Sequence, residues 1–185
     1  IQKLLSIIMG KEAILYEKLS DNKVKCTACA RYCEIGKDQI GLCGIRGNDN
    51  GKLQLFVYGK VIAGHVDPIE KKPLNHYFPG TPVFSFGTAG CNLTCKFCQN
   101  WDISKSREID KLSDKASPGK IAEVAKHLGC YSVAFTYNDP VIFFEYAIDV
   151  AQACRERGIK TVAVTAGYIS PEPRKKFFSY IDAAN

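Results

Sequence analysis

Three short apolar segments in the second half of the chain are each followed by the start of a helix. The segments cover residues 83–86, 132–135 and 161–165. Strands that are apolar along their whole length are buried on both faces, as in a parallel sheet covered by helices. The sequence therefore predicts an α/β fold with its chemistry at the carboxyl ends of these strands.

Each helix start combines a capping residue with a proline at the first helical position. The three pairs are Ser117-Pro118, Asp139-Pro140 and Ser170-Pro171. A serine or aspartate side chain accepts a hydrogen bond from the first turn, and proline has no N–H to leave unsatisfied there. We expect the third helix to run to about Ile181 and a further strand to begin there. Three βα units close no barrel, so we expect the chain to be part of a longer protein.

The first 82 residues differ in character and are predicted to form a cysteine-rich region, with residues 83–185 as the first half of a barrel core. Residues 53–58 and 61–66 are β-branched and aromatic, and their pattern predicts a hairpin. A polar stretch at 104–115 has no apolar period, which predicts an exposed loop.

Nine cysteines and the absence of a recognisable secretory signal indicate a reducing compartment, so we expect a cytoplasmic protein with metal ligands rather than disulfides. Four cysteines follow a C-x2-C-x3-C-x9-C spacing, which can close a second metal site. The metal is either zinc or an auxiliary iron–sulfur cluster, and buried reduced thiols without metal are the alternative. The residues are Cys26, Cys29, Cys33 and Cys43.

A second group, Cys91, Cys95 and Cys98, has the spacing C-x3-C-x2-C and directly follows the first strand. Zinc sites and iron–sulfur clusters normally take four protein ligands. Three thiolates on a four-iron cluster would leave one iron open to a substrate, whereas a structural zinc site or a disulfide-forming loop is the alternative. Cys130 and Cys154 could supply a fourth thiolate, but both are predicted to lie away from the strand ends.

The net charge of +6 is spread along the chain without a basic run interleaved with aromatic residues, which gives weak support for nucleic-acid binding. No apolar run reaches transmembrane length, so no membrane partner is expected. A zinc-ribbon-type nucleic-acid-binding module and a ferredoxin-like electron carrier remain alternative functions. The carrier is disfavoured because such clusters take four thiolates each.

The three-cysteine motif, with Phe97 before its last cysteine, resembles the motif of radical S-adenosylmethionine (SAM) enzymes. Further segments resemble the AmmeMemoRadiSam-system members, which are relatives of pyruvate formate-lyase activating enzyme. These segments are 67–74, 90–101, 136–140 and 165–168. The resemblance covers about residues 11–185 and implies a partial (β/α)6 barrel, of which this chain holds the first three βα units.

The resemblance also implies roles for individual residues. The three cysteines would ligate a [4Fe–4S] cluster that reductively cleaves SAM to a 5′-deoxyadenosyl radical, and Phe97 and Gln99 would flank the adenine. Asn138 and Asp139 stand where the superfamily has Gly-Gly-Glu, so a contact with the methionine amino group competes with simple helix capping by Asp139.

The implied enzyme is an oxidoreductase-type, glycyl-radical-activase-like protein. Its partners would be a low-potential electron donor of the flavodoxin or ferredoxin type and an unidentified substrate, either a protein or a small molecule. Ribose-binding positions of the superfamily lie on later strands. We therefore expect the isolated chain to hold the cluster and to bind SAM weakly.

Overall fold

The computed structural model describes residues 10–106 and 113–185, and its strands and helices are short. The strands are β1 (Lys11–Glu12), β2 (Tyr16–Lys18), β3 (Val24–Cys26), β4 (Glu34–Ile35), β5 (Arg46–Asp49), β6 (Lys52–Leu55), β7 (Lys60–Val61), β8 (Ala63–Pro68), β9 (Pro82–Gly87), β10 (Asp114–Lys115), β11 (Ser132–Phe135), β12 (Lys160–Ala163) and β13 (Ala183–Ala184). The helices are α1 (Trp101–Ser104), α2 (Pro118–His127), α3 (Phe144–Arg155) and α4 (Pro171–Phe178), with 3₁₀ turns at Ile69–Lys71 and Pro140–Phe143.

Within the described residues, the largest sheet has the strand order β13-β12-β11-β9-β8. The first four of these strands run parallel, and β8 pairs antiparallel with β9. Phe86 and Phe135 are fully buried in a cluster that includes residues of α2 and α3. Val83 and Val162 belong to a separate cluster that contains Ile69. The predicted α/β class is confirmed.

The three predicted helix starts differ: Ser117 caps α2, Asp139 caps the 3₁₀ turn that leads into α3, and Ser170 does not cap α4. Ser117 Oγ accepts from the Lys120 N–H at 3.2 Å, and Asp139 Oδ1 accepts from the Val141 N–H at 3.1 Å. Ser170 also precedes its helix, but its hydroxyl donates to the Thr27 carbonyl instead of capping. This bond fastens the start of α4 to the cysteine-rich region.

The predicted hairpin between residues 53–58 and 61–66 is wrong, because each segment pairs elsewhere. Strand β6 pairs with β5 across Asn50 and Gly51, whose φ values are +47° and +85°. Two positive φ angles give the turn that matches the twist of a two-residue hairpin, and Asn-Gly is its strongest sequence signal. Strand β8 pairs with β9 instead.

The region 1–82 contributes a strand to the main sheet. Strand β8 comes from that region, and it forms the edge of the sheet beside β9. The buried cluster that contains the α3 residues also includes Ile45, Leu55 and Phe56. The division at residue 82 stays a prediction, and part of the polar stretch 104–115 lies outside the described residues. No helix in the described part of the chain is long and apolar enough to cross a membrane.

Candidate functional site

A cavity of about 240 Å³ lies at the carboxyl ends of β9, β11 and β12. Parallel α/β sheets bind their ligands at this edge, because strands and loops end together there. The cavity brings together the three cysteines of the 91–98 motif and the residues that follow two later strands. The lining residues are Cys91, Leu93, Cys95, Cys98, Asn100, Ser104, Lys105, Thr136, Tyr137, Asn138, Asp139, Val164, Thr165, Ala166 and Asn185.

The three cysteines of the motif differ in their exposure to solvent. Cys95 is exposed, whereas Cys91 and Cys98 are partly buried. Burial raises the pKa of the Cys91 thiol, and the backbone N–H groups of Asp139 and Leu93 act against that rise. These N–H groups would equally stabilise a thiolate sulfur. The residues therefore fit a role as ligands on one wall of the cavity.

Short polar contacts hold the rest of the cysteine loop. Lys105 Nζ donates to the Leu93 carbonyl at 2.7 Å. The Cys98 sulfur lies 3.5 Å from Ser104 Oγ, on the short helix α1. Within residues 10–106 and 113–185, no group of three or more His, Cys, Asp or Glu side chains is arranged to hold a single metal ion. A four-iron cluster distributes its thiolates over separate irons, so this finding does not conflict with the cluster predicted for the 91–98 motif.

Gly90 sets the approach of the cysteine loop to the N-terminal region. Its φ is +79°, and a Cβ at this position would stand 2.3 Å from the Cys43 carbonyl oxygen and 2.6 Å from Ile45 Cγ2. Only glycine tolerates both the left-handed conformation and this close approach. The loop before Cys91 thus rests directly on the loop of the first cysteine group.

Asn138 binds the loop that precedes Cys91. Its Nδ2 donates to Gly90 O at 2.8 Å and to Thr88 Oγ1 at 3.0 Å, and lies 3.4 Å from Ala89 O. Its Oδ1 accepts from the Thr88 N–H at 3.2 Å. The side chain is buried, and both ends of the amide are engaged with residues 88–90. Asn138 therefore fixes the geometry of the loop, and a contact with SAM stays a prediction.

Asp139 caps the turn before α3 and also holds the end of β12. Its Oδ1 accepts from Val141 N–H and from the Thr165 hydroxyl at 2.9 Å, and its Oδ2 accepts from Ala166 N–H at 3.1 Å. Burial raises the pKa of this carboxyl, and the three hydrogen bonds oppose the rise. A carboxylate offers about four acceptor sites, and the described residues use three of them, two on Oδ1 and one on Oδ2. Asp139 also lines the cavity.

The remaining predicted site residues lie around the cavity and not in its wall. The Phe97 side chain is 87% exposed, and Gln99 is also exposed. Cys130 and Cys154 are buried at the start of β11 and near the end of α3, and neither lines the cavity. The expectation that they lie away from the strand ends is confirmed. The adenine contacts of Phe97 and Gln99 stay predictions.

The first cysteine group surrounds a second, much smaller cavity of about 20 Å³. Burial raises the pKa of Cys26 to about 11, and the Arg46 guanidinium acts against this rise. Arg46 is itself buried, donates to the Ile142 carbonyl at 2.7 Å and forms an ion pair with Glu145. The cavity is lined by Cys26, Ala28, Cys29, Arg31, Cys33, Ile35, Gly41, Leu42, Cys43, Arg46, Asn92 and Ile142.

Sequence reasoning missed the contacts that join the two cysteine groups. Arg31, between Cys29 and Cys33, donates from Nε to the Asn92 carbonyl at 2.8 Å. Nothing in the local pattern around Arg31 indicates a partner 61 residues away. Thr136 and Thr165 are different, because Thr136 directly follows a predicted strand and Thr165 is the last residue of another, and a position at a strand end alone was a signal for the cavity.

Comparisons with known proteins found one matching family and two sequence relatives. The family described as the Radical SAM superfamily matches residues 86–183. The chain is 42% identical over 175 residues to the uncharacterized protein MJ0808 of Methanocaldococcus jannaschii, across 95% of this chain and 52% of that protein. It is 38% identical over 64 residues to MJ0674 of the same organism, across 32% of this chain and 19% of that protein.

A solved structure, QueE from Escherichia coli, is similar over 58% of this chain and 52% of that chain, with a TM-score of 0.43 and 16% sequence identity. The chain spans about half the length of MJ0808, and its match to MJ0674 covers 19% of that protein.

Proposed function

The chain belongs to the radical SAM superfamily, and we propose that it is the cluster-holding part of a radical enzyme, with Cys91, Cys95 and Cys98 as the thiolate ligands. The observation that carries this proposal is the cavity at the strand ends, which is lined both by these three thiols and by Asp139 and Thr165. A [4Fe–4S] cluster with bound SAM would supply a 5′-deoxyadenosyl radical for hydrogen abstraction.

The residues of this chain fit such a group in three respects. Among the described residues, the three motif cysteines are the only ones that line the cavity, so a four-iron cluster held there would keep one iron without a protein ligand. The cavity of about 240 Å³ extends past the thiols to the residues that follow β11 and β12. The acceptor site left on Asp139 Oδ2 suits an ammonium group, such as the amino group of a bound amino acid.

The residues around the thiols hold the loop and limit its freedom. Asn138 binds the backbone of residues 88–90, Lys105 binds Leu93 O, and Arg31 binds Asn92 O. Three contacts from separate parts of the chain hold the loop before a ligand arrives, and such preorganisation lowers the cost of binding. Phe97 is exposed within the motif, and covering its ring by a bound ligand would remove apolar surface from water.

The finer assignments are also proposals. We expect a partial (β/α)6 barrel, an oxidoreductase-type enzyme and a substrate of the kind that activases convert, which is a protein. We expect a low-potential donor of the flavodoxin or ferredoxin type to deliver the electron. A reducing cytoplasm suits a protein with nine cysteines.

Cluster loading of the chain tests the assignment of the ligands. After anaerobic reconstitution with iron and sulfide, we expect the iron–sulfur absorption and a reduced-state EPR signal that shifts when SAM is added. Cys95→Ala should lose this signal, and because Cys95 is exposed the variant should stay folded. Cys130→Ala is the matched control, since Cys130 lines neither cavity. Equal loading of the Cys95→Ala variant and the parent chain would refute the assignment.

A further inference from the structure

Four cysteines from one strand and two loops line the small cavity of the N-terminal region. Cys26 lies at the end of β3, Cys29 and Cys33 lie in the loop that follows, and Cys43 lies before β5. Cys26, Cys29 and Cys43 are each less than 10% exposed. Four thiols around one small, shielded space form a donor set that the proposed radical chemistry does not use.

Asn92 provides a second, independent observation at the same cavity. The residue is 1% exposed and lines the cavity. Its Nδ2 is buried and has no hydrogen-bond partner among the described residues. A buried amide N–H normally has an acceptor, and an exception calls for a missing partner such as an ion or its ligands. A thiolate sulfur in this cavity would accept the hydrogen bond.

The size of the cavity discriminates between the two metals that the spacing allows. About 20 Å³ is little more than the space that one water molecule needs. With the side chains as they stand, the space is too small for four irons and four sulfides, which would need the thiols to separate. A single zinc ion, with Zn–S bonds of about 2.3 Å, instead needs the thiols to converge.

We propose that Cys26, Cys29, Cys33 and Cys43 bind one structural zinc ion, and that the Asn92 amide donates a hydrogen bond to one of the thiolates. Binding exchanges four S–H bonds for four Zn–S bonds and releases four protons to solvent. The thiols must turn toward each other as the ion binds, because no three of them are arranged to hold an ion in this structure. The site lies outside the proposed radical chemistry.

The charges around the cavity favour this donor set. Four thiolates and one zinc ion carry a net charge of −2, which needs compensation when it is buried. The guanidinium groups of Arg46 and Arg31 both line the cavity. The Arg46 guanidinium also forms an ion pair with Glu145, and Arg31 also donates a hydrogen bond to the Asn92 carbonyl.

The proposed zinc site lies where it would support the cysteine loop of residues 91–98. The loop that contains Cys29 bonds to the segment after β12, through Ala30 N–H to Tyr168 O at 3.4 Å and through Ser170 N–H to Ala28 O at 3.4 Å. The same loop holds Asn92, beside Cys91, through Arg31. Zinc would therefore stiffen the part of the chain on which the 91–98 loop rests.

The test uses a full chain in which Cys91, Cys95 and Cys98 are all replaced by alanine, so that iron at the radical site cannot confuse the result. We expect this chain to retain one zinc ion after desalting and to give the visible bands of tetrahedral, thiolate-bound cobalt when Co²⁺ replaces zinc. Further replacement Cys33→Ser should abolish both, whereas replacement of Cys130 and Cys154 by serine should leave both intact. Absence of zinc, or an iron–sulfur chromophore after reconstitution of the triple variant, would overturn the proposal.

The role of Asn92 has its own measurement. In the same background, Asn92→Leu removes the amide N–H at similar volume, and loss of a partner of this kind typically weakens metal binding by about 10-fold or more. Competition with a zinc chelator measures this affinity. Asn100→Leu is the control, because Asn100 lines the larger cavity and should leave zinc affinity unchanged. Equal zinc affinity of the Asn92→Leu variant and its parent would refute the assigned hydrogen bond.

Discussion

The replacement Asn138→Ala tests whether the loop before Cys91 depends on one buried amide. The Asn138 side chain accepts from Thr88 N–H at 3.2 Å and donates to Gly90 O at 2.8 Å, and all three residues are buried. Each of these two backbone groups would lose its hydrogen bond inside the protein at a cost of about 1–2 kcal/mol. We therefore expect the free energy of unfolding to fall by about 3 kcal/mol.

The matched control for Asn138→Ala is Asn48→Ala in the N-terminal hairpin. Asn48 is also fully buried, and its Nδ2 donates to two backbone carbonyls while its Oδ1 accepts from Gly51 N–H at 2.7 Å. Both variants should lose similar stability in urea unfolding of the apo chain. Only Asn138→Ala should also load less iron at Cys91, Cys95 and Cys98, because only Asn138 binds residues 88–90.

Two results would refute this reasoning about Asn138. One is a loss of less than about 1 kcal/mol, which would mean that residues 88–90 hold their conformation without the amide. The other is equal iron loading of Asn138→Ala and Asn48→Ala, measured by iron content and visible absorption after the same anaerobic reconstitution.

Further predictions concern three other positions. Gly90→Ala should destabilise the chain more than Gly129→Ala in urea unfolding, because both have positive φ but only the Gly90 Cβ would clash, at 2.3 Å from Cys43 O; equal losses would contradict the assigned close approach. Glu145→Ala should cost about 3–5 kcal/mol, since it leaves the buried Arg46 charge unpaired. Glu123→Ala, which removes an exposed ion pair, should cost less than about 1 kcal/mol, and a similar cost for both would count against the buried pair. Burial raises the pKa of Asp67, but hydrogen bonds from the ammonium groups of Lys71 and Lys72 have a larger, opposite effect. The net pKa therefore lies well below its ordinary value. The stability that Asp67 contributes is thus present above about pH 4 and is lost as the pH falls toward the folded-state pKa. Asp67→Asn should therefore lower the free energy of unfolding at pH 7 and flatten its decline in acid, and an acid decline as steep as that of the parent would refute this.

The parts of the fold that could be predicted are those fixed by neighbouring residues. Ser117 caps α2, and Asp139 caps the 3₁₀ turn before α3, because the partner N–H groups lie within three residues in sequence. The three βα units after residue 82 follow from the same local signals. Helix α1 and strand β10 were not predicted, and β10 lies in the stretch expected to be an exposed loop. The hairpin prediction failed because strand pairing is a contact between distant segments, and residues 63–68 find a better partner in 82–87 than in their sequence neighbours.

The cysteines of the candidate site could be predicted from the sequence, whereas the contacts that support them could not. The spacing of Cys91, Cys95 and Cys98 and the strand before them are visible in the sequence. The bonds from Asn138 to residues 88–90 and from Arg31 to Asn92 join positions about 50 and 61 residues apart. Such contacts exist only once the sheet has formed, so no local pattern could indicate them.

The central claim is that the three thiols of the 91–98 motif belong to a radical enzyme. The direct test is to reconstitute the protein anaerobically, reduce it with a low-potential donor, add SAM and measure 5′-deoxyadenosine. We expect this product from the parent protein and none from its Cys95→Ala variant. Failure of the reconstituted, cluster-loaded parent to form 5′-deoxyadenosine would contradict the claim.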